Sequence, residues 1–117
     1  MNLLAVLLGG ALGAWLRYAL ALRLGTAQYF FSPVLWANVA GCFVFGIFAV
    51  VCREHPNELL KLFVLTGICG ALTTFSSYLF EAIQSGSAWS AGAVLVLQLL
   101  CGLLAMGLGT ALGRWVV

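Results

Sequence analysis

GICGALTTFSSYLFE, residues Gly67 to Glu81, is the stretch whose reading decides the fold. It sets two glycines, four hydroxyls and the aromatic pair Phe75 and Tyr78 inside a segment otherwise apolar enough to span a bilayer. A hydroxyl in a lipid-facing helix can bond back to the carbonyl one turn earlier, but Thr73, Thr74, Ser76 and Ser77 point around every side of a helix that turns about 100° per residue. Some of them must therefore face protein, an ion or water. Gly67 and Gly70 lie just upstream, where a spanning helix can open and let backbone amides and carbonyls face a ligand. Any one of these residues is ordinary packing material in a membrane helix. Their concentration in one segment points to a broken membrane helix.

The rest of the chain supports a membrane setting. Of its 117 residues, 64% are hydrophobic and 7% charged, and the mean hydropathy is +1.15. A soluble domain would carry roughly a quarter charged residues. At about 20 residues per span, the apolar runs divide into four, approximately 2–24, 33–52, 59–83 and 88–115, with only short connections left over. Residues 1–117 thus read as a single all-α transmembrane domain of four helices, the third one broken. The net charge of +2 is too small and too scattered for a nucleic-acid partner. The apolar start at Leu3 lacks the basic flank of a signal peptide, so Met1 onward is expected to be mature protein.

Cys42, Cys52, Cys69 and Cys101 lie in or at the ends of apolar spans without metal-ligand spacing, and read as small apolar fillers. The one histidine, His55, sits in a polar loop from Arg53 to Glu58 whose mixed charges read as a solvated turn. No nucleophile, base and acid converge on a common stretch, which argues against an enzyme.

In the first span, GGALGAWLRY places Gly9 and Gly13, and then Gly10 and Ala14, at small-xxx-small spacing, a smooth strip for close helix contact. Arg17 lies in its last third, where two roles are open: its head can snorkel to the interface, or it can draw anions to a pore mouth. A loop over Gly25 to Ser32 leads to Pro33, which suits the first turn of the second span. Asn38 is the one amide side chain there, and burying it unpaired costs about 2 kcal/mol or more. It needs a partner across a helix interface or a polar cavity. Ser85, Gly86 and Ser87 make the third turn. The fourth span is rich in glycine and carries only Gln98 and Thr110 as polar side chains in its interior, so it reads mainly as a packing helix, with Glu81 of the third span solvated at the interface.

With four spans, one side of the membrane carries Arg53, Lys61 and Arg114 and the other carries Arg17 and Arg23. Cytoplasmic loops normally hold a clear excess of positive charge. A chain without that bias can insert both ways, and the two orientations can pair as an antiparallel dimer. Four short helices also bury little by themselves, so self-association is expected.

GGALGAWLRY in the first span, the glycines Gly41 and Gly46 following Asn38 in the second, and GxCGxxTTFSSY in the third together resemble the CrcB/Fluc fluoride channels. The likeness covers three of four spans, in order and at the right total length. It implies a dual-topology homodimer in a bacterial inner or plasma membrane, with two antiparallel fluoride pores and a structural sodium ion on the two-fold axis. By the resemblance, Gly70 and Thr73 offer backbone carbonyls to sodium. Phe75 and Tyr78 take the two aromatic pore positions, Asn38 that of the pore asparagine and Arg17 that of the first-span arginine, while Thr74, Ser76 and Ser77 are candidate hydroxyl donors. Three features depart from the family pattern: Tyr78 stands where phenylalanine is usual, Val34 and Leu35 precede Asn38 where the family often has Thr and Leu after a Gly, and the fourth span is poor in hydroxyls.

The ligand types suit the ion. Fluoride is small and strongly hydrated, so crossing a membrane requires replacing its water by amide, hydroxyl and positive aromatic-edge contacts. Two rival readings fit the same length: a small multidrug exporter and a non-conducting assembly subunit. The exporter needs an embedded carboxylate, typically in the first span, and this first span has none. The charge count yields a test of topology. Single cysteines placed in the Arg53 to Glu58 loop, in a background lacking the four native cysteines, should label from both sides of intact cells, and labelling from one side only would refute dual topology.

Overall fold

The computed structural model describes residues 1–25 and 29–117. Part of the loop predicted over Gly25 to Ser32 therefore lies outside the described residues. Four stretches are helical, long and apolar enough to cross a membrane: Asn2–Leu24, Pro33–Glu54, Glu58–Gln84 and Ala88–Val116. The first, second and fourth are the helices α1, α2 and α6. The third is composite, running through α3 (Glu58–Lys61), a π-helical stretch (Leu62–Cys69), α4 (Gly70–Leu72) and α5 (Phe75–Gln84). The longest dimension of the molecule is 46 Å, matching a bilayer of about 40–45 Å with its headgroups.

Local chemistry starts the helices. Ser32 has extended backbone and accepts from the Leu35 N–H at 3.2 Å, with Pro33 opening α2 behind it. Asn57 caps α3 through Leu60 at 3.0 Å, Thr74 caps α5 through Ser77 at 3.4 Å, and Ser87 caps α6 through Ser90 at 3.1 Å. The predicted polar loop from Arg53 to Glu58 shrinks to the residues between α2 and α3. The His55 N–H bonds back to the Val51 carbonyl at 2.8 Å, which carries α2 through Arg53 and Glu54.

Packing inverts the pattern of a soluble protein. The buried apolar residues are mostly small, among them Ala37, Cys69, Ala82, Val94 and Ala105, whereas Leu3, Leu7, Trp15, Leu103 and Leu104 face outward. Lipid tails are as apolar as leucine, so helices gain by close approach of backbones and leave large side chains to the bilayer. Gly9 and Gly13 show the geometry. A Cβ on Gly9 would overlap the Phe63 carbonyl, and one on Gly13 the Ile68 carbonyl, so α1 lies backbone to backbone against the π-helical stretch. The same holds between α2 and α6, where a Cβ on Gly46 would meet the Met106 carbonyl and one on Gly109 the Phe43 carbonyl. Gly10, in the second small-xxx-small pair, meets nothing within 4 Å, so only one of the two strips is used within the chain.

Gly67 and Gly70 do not open the third span. Gly67 sits in the π-helical stretch and abuts Gly9, and Gly70 has helical φ −62° and ψ −34°. Gly67 serves close approach to α1, whereas a Cβ on Gly70 would meet only the Leu65 carbonyl at 3.9 Å. The backbone is extended at the next two polar residues instead, with ψ 147° at Thr73 and ψ 116° at Thr74. The glycine packing predicts a contrast: Gly109→Ala should cost about 1–3 kcal/mol by overpacking, whereas Gly107→Ala, with nothing within 4 Å of its Cβ, should leave stability unchanged or slightly raised. Equilibrium unfolding in mixed micelles measures both.

Candidate functional site

The extended pair Thr73–Thr74 frees backbone groups that a continuous helix would consume. In such a helix the Thr74 N–H would bond the Gly70 carbonyl and the Ser77 N–H the Thr73 carbonyl. Here Thr74 N–H donates to Asn38 Oδ1 at 2.8 Å, and Ser77 N–H turns to Thr74 Oγ1 at 3.4 Å. Gly70 and Thr73 thus both lose their usual donors. The Thr73 hydroxyl closes back on the Cys69 carbonyl at 2.8 Å, within its own turn.

Asn38 is the crossing point. Its Nδ2 donates to Gln98 Oε1 at 3.0 Å and lies 3.4 Å from the Thr74 carbonyl. Gln98 is buried, and its Nε2 donates onward to Glu81 Oε2 at 3.3 Å. The same carboxylate oxygen accepts from the Ser32 hydroxyl at 2.7 Å. One chain of polar groups therefore runs Ser32, Glu81, Gln98, Asn38, Thr74, and ties the second, third and fourth spans together. From Thr74 it continues to its neighbours, with the Thr74 hydroxyl 3.2 Å from that of Ser77 and 3.3 Å from that of Ser76.

Beside this chain lies an open groove of about 320 Å³, lined by Asn38, Cys42, Thr73, Thr74, Phe75, Tyr78, Gln98, Leu99, Gly102, Leu103 and Met106. It is mostly apolar with a few convergent polar groups, the usual make-up of a ligand site. Phe75 and Tyr78 stand one helical turn apart with ring centroids 5.3 Å apart and planes tilted by 58°. Phe75 is 69% exposed on the open side. The Tyr78 hydroxyl donates to the Leu95 carbonyl at 3.4 Å, which turns its polar end toward α6.

Of the residues singled out in the sequence, Asn38, Thr73, Thr74, Phe75 and Tyr78 share the groove, and Ser76 and Ser77 adjoin it through Thr74. Gly70 lies next to it, on a smaller cavity that shares Thr73, Cys42 and Met106 with the groove. Arg17 does not line it; it stands half-buried on α1, a helix that packs against the π-helical stretch. Two sequence-based expectations are corrected. Glu81 is not simply solvated at the interface, because Ser32 and Gln98 both donate to it, and Gln98 is no bystander on a packing helix. Sequence spacing held a clue to both. Thr74, Ser77 and Glu81 fall on one helical face, and an amide at Asn38 that needs a partner across an interface has Gln98 as the sole side-chain amide of the fourth span. All four cysteines carry free thiols, with Cys69 buried and the others half-buried.

Fold and site together define a polytopic α-helical membrane protein whose polar groups gather around an interruption in its third span. The particular family follows from comparison with known proteins. The family described as "CrcB-like protein, Camphor Resistance (CrcB)" matches residues 4–110, and the chain belongs to it. Similar proteins include the fluoride-specific ion channel FluC of Acinetobacter baumannii strain ACICU, 42% identical over 97% of this chain and 94% of its own length. Another is the fluoride-specific ion channel FluC of Chloroflexus aurantiacus strain J-10-fl, 35% identical over 97% of this chain and 96% of its own. Those are names of ion channels, not of enzymes.

The network makes Asn38 structurally expensive to replace. Asn38→Leu would strand the buried Gln98 acceptor and the Thr74 N–H, and each stranded group costs about 1–3 kcal/mol. Unfolding in mixed micelles should show a loss of that order, well above the ~1 kcal/mol of an ordinary apolar exchange.

Proposed function

We propose that this chain forms a fluoride-selective channel of the bacterial inner membrane, through which fluoride leaves the cell passively and its toxicity is relieved. The observation that carries this reading is the Asn38 amide, fixed at both of its polar atoms and set in a groove with Phe75 and Tyr78. The anion itself comes from the relatives' names.

The chemistry of the groove supports it. Asn38 Nδ2 has two protons: one is committed to Gln98, and the other has only the Thr74 carbonyl at 3.4 Å, long for an amide hydrogen bond. An anion can take that second proton at little cost to the protein. The hydroxyls of Thr74, Ser76 and Ser77 can reorient as donors, and the rims of Phe75 and Tyr78 carry the positive edge of the aromatic quadrupole. These groups would replace fluoride's water one contact at a time. Arg17, outside the groove of its own chain, would act earlier by drawing anions to the pore mouth.

The groove is half of a pathway. In a monomer it would open an amide and several hydroxyls toward lipid, where unsatisfied polar groups are costly. A second copy in the opposite orientation closes it, which the near-balance of charge between the two sides favours. Exposed Phe75 then becomes an interface residue.

A sodium ion on the two-fold axis fits the same picture. Gly70 is exposed, and its carbonyl and that of Thr73 have lost their helical donors to Asn38 and Thr74 Oγ1. Two free carbonyls from each copy make a set of hard oxygen ligands, the type a small cation takes. Bound there, sodium would supply positive charge near both pores. Here each chain's own part is to leave two carbonyls, those of Gly70 and Thr73, without helical donors by keeping Thr73 and Thr74 extended.

Fluoride efflux from liposomes carrying the purified protein, read with a fluoride electrode, should exceed chloride efflux by orders of magnitude. Comparable rates, or none, would overturn the reading. Phe75→Ile keeps bulk and hydrophobicity but removes the ring edge, so flux should fall steeply while dimer stability shifts by only ~1 kcal/mol.

A further inference from the structure

We infer that Gln98 is a positioning residue of the anion pathway: it orders the amide of Asn38 so that an N–H, and not the carbonyl oxygen, is left for the ion. The inference rests on the channel reading above and adds to it a role for the fourth span, whose sequence offers few hydroxyls.

An asparagine amide can present either its oxygen or its nitrogen, and the two ends differ in what they do to an anion. A donor attracts it, and an acceptor repels it. In this fold the choice is made from both ends of the polar chain. At one end stands a backbone N–H of Thr74, which can only donate, so the atom facing it must be Asn38 Oδ1. At the other end stands Glu81 Oε2, which accepts from the Ser32 hydroxyl and from Gln98 Nε2 alike, so the atom of Gln98 that faces it is the nitrogen. Gln98 therefore turns Oε1 toward Asn38, and that oxygen requires Nδ2. Both ends impose the same order, and no link is frustrated.

Gln98 is the piece that carries the order across. It is 6% exposed, so water is poorly placed to substitute for it, and each of its two polar atoms is used once. Without it, Asn38 would keep one anchor, the Thr74 N–H, and could tilt its free nitrogen fully onto the Thr74 carbonyl, now 3.4 Å away. The donor offered to the ion would then be lost inside the protein. Ser32 completes the device by holding the Glu81 carboxylate from α2.

The test uses the full-length protein reconstituted in liposomes and in nanodiscs. Gln98→Met keeps the volume and removes both hydrogen bonds. It should remain a folded dimer yet pass fluoride at least about fivefold more slowly, the factor that one net hydrogen bond represents. Glu81→Gln keeps an acceptor for Gln98 and should lose less. As a control on the same helix, Thr110→Val, whose hydroxyl bonds only the Gly107 carbonyl at 2.8 Å, should conduct as the wild type does.

A second readout follows Asn38 itself. In protein labelled with 15N-asparagine, its side-chain amide signal should move on adding sodium fluoride but not sodium chloride, and Gln98→Met should abolish that response. Where Gln98→Met does not fold, Gln98→Ser serves, since its hydroxyl is too short for either partner and can satisfy itself on the preceding turn. A folded Gln98 variant with wild-type flux, or with an unchanged Asn38 response, would overturn the inference. So would a Glu81→Gln loss as large as that of Gln98→Met, which would make the carboxylate's charge the active element. Absence of fluoride flux in the wild type would instead sink the channel reading on which the inference rests.

Discussion

The hydrogen bond from the Thr74 N–H to Asn38 Oδ1, 2.8 Å long, is the contact on which the rest of the site depends. A backbone amide at membrane depth must find a partner inside the protein, because no water is there to take it. Asn38 supplies that partner from α2, and so lets the third span leave helical geometry at Thr73 and Thr74 without stranding a donor. The released carbonyls of Gly70 and Thr73, the cap that Thr74 gives to α5, and the placement of Phe75 and Tyr78 on the first turn beyond all follow. An interruption in a spanning helix is tolerable where it is answered by a side chain of matching polarity.

That answer is itself supported from behind. Asn38 is held by Gln98, Gln98 by Glu81, and Glu81 by Ser32. The result is that α5, a ten-residue helix bearing both groove aromatics, is attached to its neighbours by polar contacts as well as by small apolar ones such as Ala82. Polar links of this kind are directional and fix register, which nonspecific packing against Leu and Val does not. The role proposed for the groove, replacing the water of a small ion, needs ligands placed to within a fraction of an ångström, and a register-fixing scaffold suits that need.

The close packing elsewhere serves the same end by rigidity. Gly9 and Gly13 bring α1 against the first part of the third span, and Gly46 and Gly109 bring α2 against α6. The interruption is thereby framed by two helix pairs in backbone contact. The π-helical turns at Leu62–Cys69 shift the register of the third span just before the interruption, a place where such turns are often found beside functional sites. The groove is thus a local irregularity in an otherwise tightly packed frame.

Much of this was legible in the chain alone. Apolar runs of about 20 residues leave a membrane protein no other element than the helix, so the four spans follow from composition, and Pro33 at the start of the second from local chemistry. The cluster from Thr73 to Tyr78 announces the site, since that many hydroxyls cannot all be satisfied by their own helix. Tertiary structure alone decided who answers whom. Glu81 looks solvated and Gln98 looks like packing until α2, α5 and α6 are brought together, because a side chain's hydrogen-bond partner depends on which faces meet across separations of 17 to 60 residues. The glycines show the same division. Their spacing marks a smooth face, but only the packed helices decide that Gly67 and Gly70 stay helical while Thr73 and Thr74 extend, since it is Asn38, from another helix, that makes the extended form affordable.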